Sequence, residues 1–254
     1  MIEDLSLISF GILFATGLCA GFVDAIAGGG GLIALPALLA VGLPPAVALG
    51  TNKLQGSFGT LSAAVNFISK GLVDIRQCWV GMAFTFCGAV IGAVIIQHMD
   101  SGFIRHLIPV LLLVVFFYTL FSKTLGLQPA APKMGRNLFF LLFGTGLGFY
   151  DGFFGPGTGS FWTGALLIFL GLDMTGAVGT TRVMNFVSNI VALAVFIIGG
   201  NVLWSAGLVM AAGQVIGARA GSGLAIQRGA VFIRPFFLTV VFITIVRLMY
   251  VNYG

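Results

Sequence analysis

The apolar runs of this chain are too long for strands and too continuous for amphipathic helices, so they predict a bundle of membrane helices. They fall at about residues 5–26, 31–42, 52–69, 77–97 and 103–121, then at about 137–154, 158–170, 180–199, 203–219 and 231–250. The second and seventh are short, and each reads as a half-helix or as one arm of a hairpin that turns within the bilayer. The widest polar gap, from Ser122 to Arg136, holds Lys123, Pro129, Pro132 and Lys133. It divides the chain into a membrane repeat at 1–122, a cytoplasmic linker at 123–136 and a second membrane repeat at 137–254.

The polar residues that interrupt these runs recur in order. GFVDAIAGGGG at Gly21 to Gly31 answers to GFYDGFFGPGTG at Gly148 to Gly159, and Gly50-Thr51-Asn52-Lys53 answers to Gly179-Thr180-Thr181-Arg182. Gly88-AVI-Gly92-Ala93 answers to Gly213-QVI-Gly217-Ala218. With five segments in each half, the second copy enters the membrane in the opposite sense. The fold predicted is an all-α integral membrane protein of two inverted repeats, with Gly-broken helices or re-entrant hairpins near the midplane. In secondary transporters that pattern points to a midplane binding site.

Composition agrees with a bilayer as solvent: of the 254 residues 59% are hydrophobic and only 7% charged, against roughly 25% in a soluble domain. That length leaves no room for an appended soluble domain. The acidic start and the lack of a small-residue cleavage site predict that the first helix is retained. The net charge of +5 comes from Lys and Arg scattered at helix ends, which argues against nucleic acid and for topology signals. With the linker in the cytoplasm, Lys70, Arg76, Lys123, Lys133, Arg136, Arg219, Arg228 and Arg234 lie inside and only Arg105 outside, so both termini face out. The predicted location is the bacterial inner membrane, multi-pass, with homo-oligomerisation left open. Cys19, Cys78 and Cys87 form no CxxC pair and read as small buried residues. His98 and His106 sit at helix ends without a carboxylate cluster, so no metal and no cofactor is expected. No nucleophile stands with a base and an orienting group, so an enzyme is not expected.

The candidate chemistry lies in the duplicated motifs. Gly28, Gly29, Gly30 and Gly31, and Gly155-Pro156-Gly157 with Thr158 and Gly159, are poor helix sequence. They read either as tight turns or as free amides at helix starts, where the dipole favours an anion. Asp24 and Asp151 precede the two breaks, and a carboxylate at membrane depth serves proton coupling or gating, or else pairs with backbone amides. Lys53 and Arg182 are the matching cations, each read as beginning a helix after a loop. They head either an anion pathway or, for Lys53, a side chain snorkelling to the interface. A polar stripe runs from Asn52 through Gln55, Gly59, Ser62 and Asn66, and from Arg182 through Asn185 and Asn189. It lines a path or glues helices. The candidate substrate contacts are the four glycines, Thr51, Asn52, Lys53, Gln55, Gly157, Thr158, Gly159, Thr180, Thr181, Arg182 and Asn185.

These motifs, taken together, resemble the TauE/SafE sulfite exporter family of membrane permeases over nearly the whole chain. GFVDAIAGGGG, TNKLQ and GFYDGFFGP are most similar to its broad bacterial branch. The resemblance implies transport of a small sulfur-containing anion, such as sulfite or an organosulfonate, driven by the proton motive force. The second copy departs from the pattern at Pro156, Thr158 and Thr181-Arg182. The residues alone leave two alternatives open: a cation transporter using Asp24 and Asp151, or a non-transporting membrane scaffold or enzyme.

Overall fold

The computed structural model describes residues 6–100, 102–103 and 131–228. The apolar segments at 103–121 and 231–250, most of the linker, and Arg105, His106, Lys123 and Arg234 lie outside the described residues, apart from Phe103.

Every regular element among the described residues is helical. The helices are α1 (Leu7–Ala27), α2 (Gly30–Ala40), α3 (Pro45–Ser69), α4 (Trp79–Gln97), α5, α6 (Thr158–Phe169), α7 (Met174–Ile198) and α8 (Trp204–Arg228). Helix α5 is continuous through Arg136–Phe139, one π-helical stretch at Phe140–Gly144, and Thr145–Phe153. By length and hydropathy, α1, α4, α7 and α8 can each cross a membrane. The eleven residues of α2 and twelve of α6 reach only about 16–18 Å, roughly half of the hydrocarbon thickness.

Two of these helices begin earlier than the hydrophobic pattern predicts, and this moves the cations. Helix α3 starts at Pro45, whose fixed φ suits the first helical turn, and runs through Gly50. Helix α7 starts at Met174, where the Asp173 carboxylate accepts from Thr175 N and Gly176 N. Lys53 and Arg182 therefore lie inside helices, not at their starts. Each is about 12 Å from the first residue of its helix.

Close contacts fix the helix directions. Gly17 and Gly21 of α1 lie against the backbone at Met210 and Gln214 of α8, and Gly148 and Gly152 of α5 against Thr85 and Ala89 of α4, so both pairs are parallel. Helices α3 and α7 pair in the reverse sense: Gly50 meets Phe196, Gly56 meets Asn189 and Phe67 meets Gly179. The small-residue motifs pack one turn away from their sequence alignment. Gly88 and Gly92 face Thr145 and Phe149, while Gly217 and Gly221, rather than Gly213 and Gly217, face Leu18 and Phe22.

Two apolar clusters occupy the two ends of the bundle. One gathers Leu13, Leu35, Leu38, Phe154, Phe196 and Met210. The other gathers Ile26, Phe67, Phe139, Phe140, Trp162 and Met184. Between them lies a layer of buried polar and charged residues that includes Lys53, Gln55, Asp151, Arg182, Asn185 and Gln214. Outward faces are apolar, as at Ile12, Phe58, Leu61, Phe86, Ile91, Leu208 and Ile216. Cys19 and Cys87 belong to this exposed surface and only Cys78 is buried, which corrects the expectation of three buried thiols. Trp79 and Trp204 are exposed at helix starts, where interfacial indoles sit, whereas Trp162 is in the core.

The glycine contacts set a stability test. A side chain at Gly217 meets the Leu18 carbonyl and comes within 2.8 Å of Phe22 N, while nothing lies within 4 Å of Gly223 on the same helix. Both changes to Leu improve helix propensity, so their difference isolates packing. Gly217→Leu should cost about 1–3 kcal/mol or more by overpacking, and Gly223→Leu should cost nothing. Thermal unfolding in detergent reads both, and equal midpoints would disprove the close α1–α8 approach.

Candidate functional site

The two glycine-rich motifs build the centre of the molecule from backbone. Helix α1 ends when Gly28 takes the left-handed conformation (φ 82°) and its N–H bonds the Asp24 carbonyl. The Asp24 carboxylate then accepts from Gly30 N, 3.1 Å away, at the start of α2. After α5, Gly155 and Gly157 also take positive φ and Thr158 Oγ1 donates to the Gly155 carbonyl. Tyr150 OH ties the loop further by donating to the Pro156 carbonyl at 2.9 Å. The two breaks touch: a methyl on Gly159 would lie 2.5 Å from Cα of Gly28, and one on Gly31 3.0 Å from Cα of Pro156. The N-termini of α2 and α6 therefore converge; Asp24 already holds Gly30 N, and the Gly155 and Gly157 carbonyls hold Thr158 N and Ser160 N.

Charge is distributed crosswise between the halves. Lys53 Nζ of α3 donates to Asp151 Oδ1 of α5 at 2.6 Å and also to the Asp151 carbonyl, while Ser188 Oγ of α7 donates to Asp151 Oδ2. Arg182 Nη1 of α7 donates to Asp24 Oδ2 of α1 at 3.0 Å and also to the Asp24 carbonyl. Both cations are inaccessible, at 1% for Lys53 and 0% for Arg182, which excludes an interfacial, snorkelling lysine. The carboxylates differ: the Asp24 side chain is 14% exposed and that of Asp151 3%. Two positive and two negative groups leave the centre with no net formal charge.

A cavity of about 30 Å³ opens beside these pairs, room for roughly two water-sized molecules. Of the residues singled out from sequence, Asp24, Gly28, Gly31, Asn52, Lys53, Gln55, Asp151, Gly157, Gly159 and Asn185 line it. Arg182 stands behind Asp24. Gly29, Gly30, Thr51, Thr158, Thr180 and Thr181 are not on its wall: Thr51 Oγ1 accepts from Leu203 N and Thr181 bonds Thr163 across α6 and α7. Thr180 instead borders a separate, largely apolar cavity near Arg136 and Phe140.

The wall also holds Gly56, Thr60, Gly155, Asn189 and Gln214. Asn189 was legible as a member of the α7 polar stripe, two turns beyond Arg182, whereas Thr60 was not in the α3 stripe read from the sequence. Gln214 gave no such signal, because α8 carries no polar stripe. The lower part of the α3 stripe does glue helices: Asn66 Nδ2 donates to Ser222 Oγ at 2.7 Å and Ser62 Oγ to the Val215 carbonyl at 3.3 Å. Among the described residues no three His, Cys, Asp or Glu side chains come together.

Chemically, this is a water-sized polar chamber of carboxamides, backbone amides and two neutralised ion pairs in an apolar bundle. Such a centre can bind and release a small polar solute.

Comparison with known proteins places the chain. The sequence profile of the sulfite exporter TauE/SafE family matches residues 13–248. A probable membrane transporter protein of Haemophilus influenzae is 42% identical over 247 residues, covering 97% of each chain. The probable membrane transporter protein YfcA of Escherichia coli K12 is 40% identical over 244 residues, covering 96% of this chain and 91% of its own. The probable membrane transporter protein YunE of Bacillus subtilis is 25% identical over 85% of this chain and 88% of its own. No solved structure matches the sequence.

Proposed function

Because the chain belongs to the TauE/SafE sulfite exporter family of membrane transporters, we propose that it moves a small sulfur-containing oxyanion across the bacterial inner membrane, coupled to protons. Sulfite and organosulfonates are the substrates in view; a proton that moves with the anion drives uptake, so export, the direction that the resemblance implies, runs only where the outward anion gradient outweighs the proton motive force. The observation that carries this reading is the pair of crossed, buried ion pairs beside a polar cavity at two helix N-termini.

The argument is electrostatic. A desolvated anion needs donors and compensating charge. The helix starts at Gly31 and Gly159 and the carboxamides of Asn52, Asn185 and Asn189, all on the cavity wall, supply donors, but Lys53 and Arg182 are already matched by carboxylates. An arriving anion makes the centre negative unless a proton arrives with it. Protonating Asp24 or Asp151 frees one cation for the anion, so each anion moves with a proton and the centre stays neutral. The alternative use of the two aspartates, as ligands for a transported cation, meets the opposite difficulty, since both carboxylates already hold a cation.

The duplicated motifs and the helix directions support two inverted repeats. Helices α1, α3 and α8 run one way and their sequence counterparts α5, α7 and α4 the other, and the direction of each agrees with the lysine and arginine bias. In that arrangement the short α2 and α6 turn back near the midplane. A cavity of about 30 Å³ is an occluded form, and substrate entry separates the two glycine breaks.

Flux into proteoliposomes is the test. With an imposed pH gradient, labelled sulfite should be driven, and an uncoupler should abolish the accumulation. Transport of a labelled metal cation with no sulfite or sulfonate flux would overturn the proposal in favour of the aspartates as cation ligands.

A further inference from the structure

The crossed ion pairs account for the charges in the central layer but not for its carboxamides. Gln55, Asn185 and Gln214 come from α3, α7 and α8, are 1%, 4% and 2% exposed, and all line the cavity. Each has a side-chain oxygen, Oε1, Oδ1 and Oε1 respectively, that is buried with no hydrogen-bond partner. A buried acceptor left unpaired is destabilising, and three at one small cavity concentrate that penalty where a ligand can relieve it.

One of these groups is held in orientation by a hydrogen bond and another is confined by packing. Gln55 Nε2 donates to Asn52 Oδ1 at 2.8 Å, which fixes its oxygen as the free end. Gln214 is wedged over Gly59, where an added methyl would lie 2.7 Å from Nε2 and 2.8 Å from Cδ. The wall is also one-sided. On α4, in the register that packs against α5 as Gln214's packs against α1, stands Thr85, whose hydroxyl donates to Met184 Sδ at 3.6 Å and does not line the cavity.

We infer that this wall reads a hydrogen-bond donor carried by the substrate, with Gln214 as the specificity-determining residue. The inference rests on the anion-transport reading above and narrows its substrate class. The preferred cargo carries a hydroxyl or other donor beside its anionic oxygens. The anionic end faces the helix N-termini and the freed cation, and the donor end faces the carboxamide oxygens. The structure then offers one asymmetric site, not two equal half-sites.

The test uses the full-length protein in detergent and two stable monoanions that differ by one hydroxyl, ethanesulfonate and 2-hydroxyethanesulfonate, with sulfite as reference. Isothermal titration should show the hydroxylated sulfonate binding about tenfold more tightly or better, the worth of one hydrogen bond. Gln214→Leu should erase that preference, and Gln214→Met, close in shape to glutamine, should do the same if the leucine variant folds poorly. Thr85→Val should keep it. Equal affinity for the two sulfonates in the unaltered protein, or tighter binding of ethanesulfonate, overturns this inference and leaves anion transport standing. A preference that survives in a folded Gln214 variant removes Gln214 from the role. Failure of all three anions to bind overturns both readings.

Discussion

Replacing Asp151 by Leu should destabilise the folded protein by about 3–5 kcal/mol, while replacing Lys53 by Met and Asp151 by Leu together should recover most of that loss. The expectation follows from burial. Lys53 Nζ and the Asp151 carboxylate meet at 2.6 Å with side chains 1% and 3% exposed, so neither charge can turn to water when its partner goes. Bringing both charges out of water was costly, and their attraction together with the Ser188 hydrogen bond offsets that cost. Removing one leaves the other uncompensated in an apolar bundle, whereas removing both replaces the pair with side chains of similar volume. Thermal unfolding in detergent separates the outcomes. A single variant as stable as the unaltered protein would show that the pair is not buried and closed. The double variant also separates structure from function: it should be stable and inactive, because no proton-accepting carboxylate remains to release a cation on that side. Full proton-driven flux in the double variant would remove this pair from coupling.

Much of this centre was legible from the chain, for a physical reason. Charge and broken helix are so unfavourable within a bilayer that the few exceptions to the apolar pattern stand out, and Asp24, Asp151, Lys53, Arg182 and the glycine breaks all converge in the structure. The crossing was not legible. Aligning the halves matches Asp24 with Asp151 and Lys53 with Arg182, but says nothing of which carboxylate meets which cation. That depends on α3 and α7 lying against helices from the opposite half. The helix starts were misplaced because Gly50 and Gly179 look like breaks. In fact, each marks a close approach inside a helix, to Asn201 and to Val73 and Phe67 respectively. The one-turn offset of Gly88 and Gly92 against Gly217 and Gly221 has the same origin, since several glycines at four-residue spacing allow more than one alignment and only the helix contact selects one. Gln214 was not singled out because it lies within Gly213-QVI-Gly217, a motif that reads as close helix packing.

Arg182→Gln should weaken sulfite binding by about 1.5–3 kcal/mol, roughly ten- to 150-fold, the range for a charge-assisted hydrogen bond. Arg182 stands behind Asp24 while Lys53 lines the cavity, but Arg182 is the cation with a donor to spare. Its Nη1 holds Asp24, but its Nη2 is buried without a partner, so one donor is already unspent. Its carboxylate partner is also the more accessible, at 14% against 3% for Asp151, so a proton reaches Asp24 more readily and frees Nη1 as well. Two parallel N–H groups on a planar guanidinium then match two oxygens of an oxyanion, a geometry a lysine ammonium does not reproduce. Arg182→Lys should therefore fail to restore affinity even though it keeps the charge. Isothermal titration of both variants with sulfite decides the matter. If Arg182→Lys binds as tightly as the unaltered protein, only the charge matters and the fork does not hold the anion. If Arg182→Gln also binds normally, the arginine serves only to lock α7 against α1.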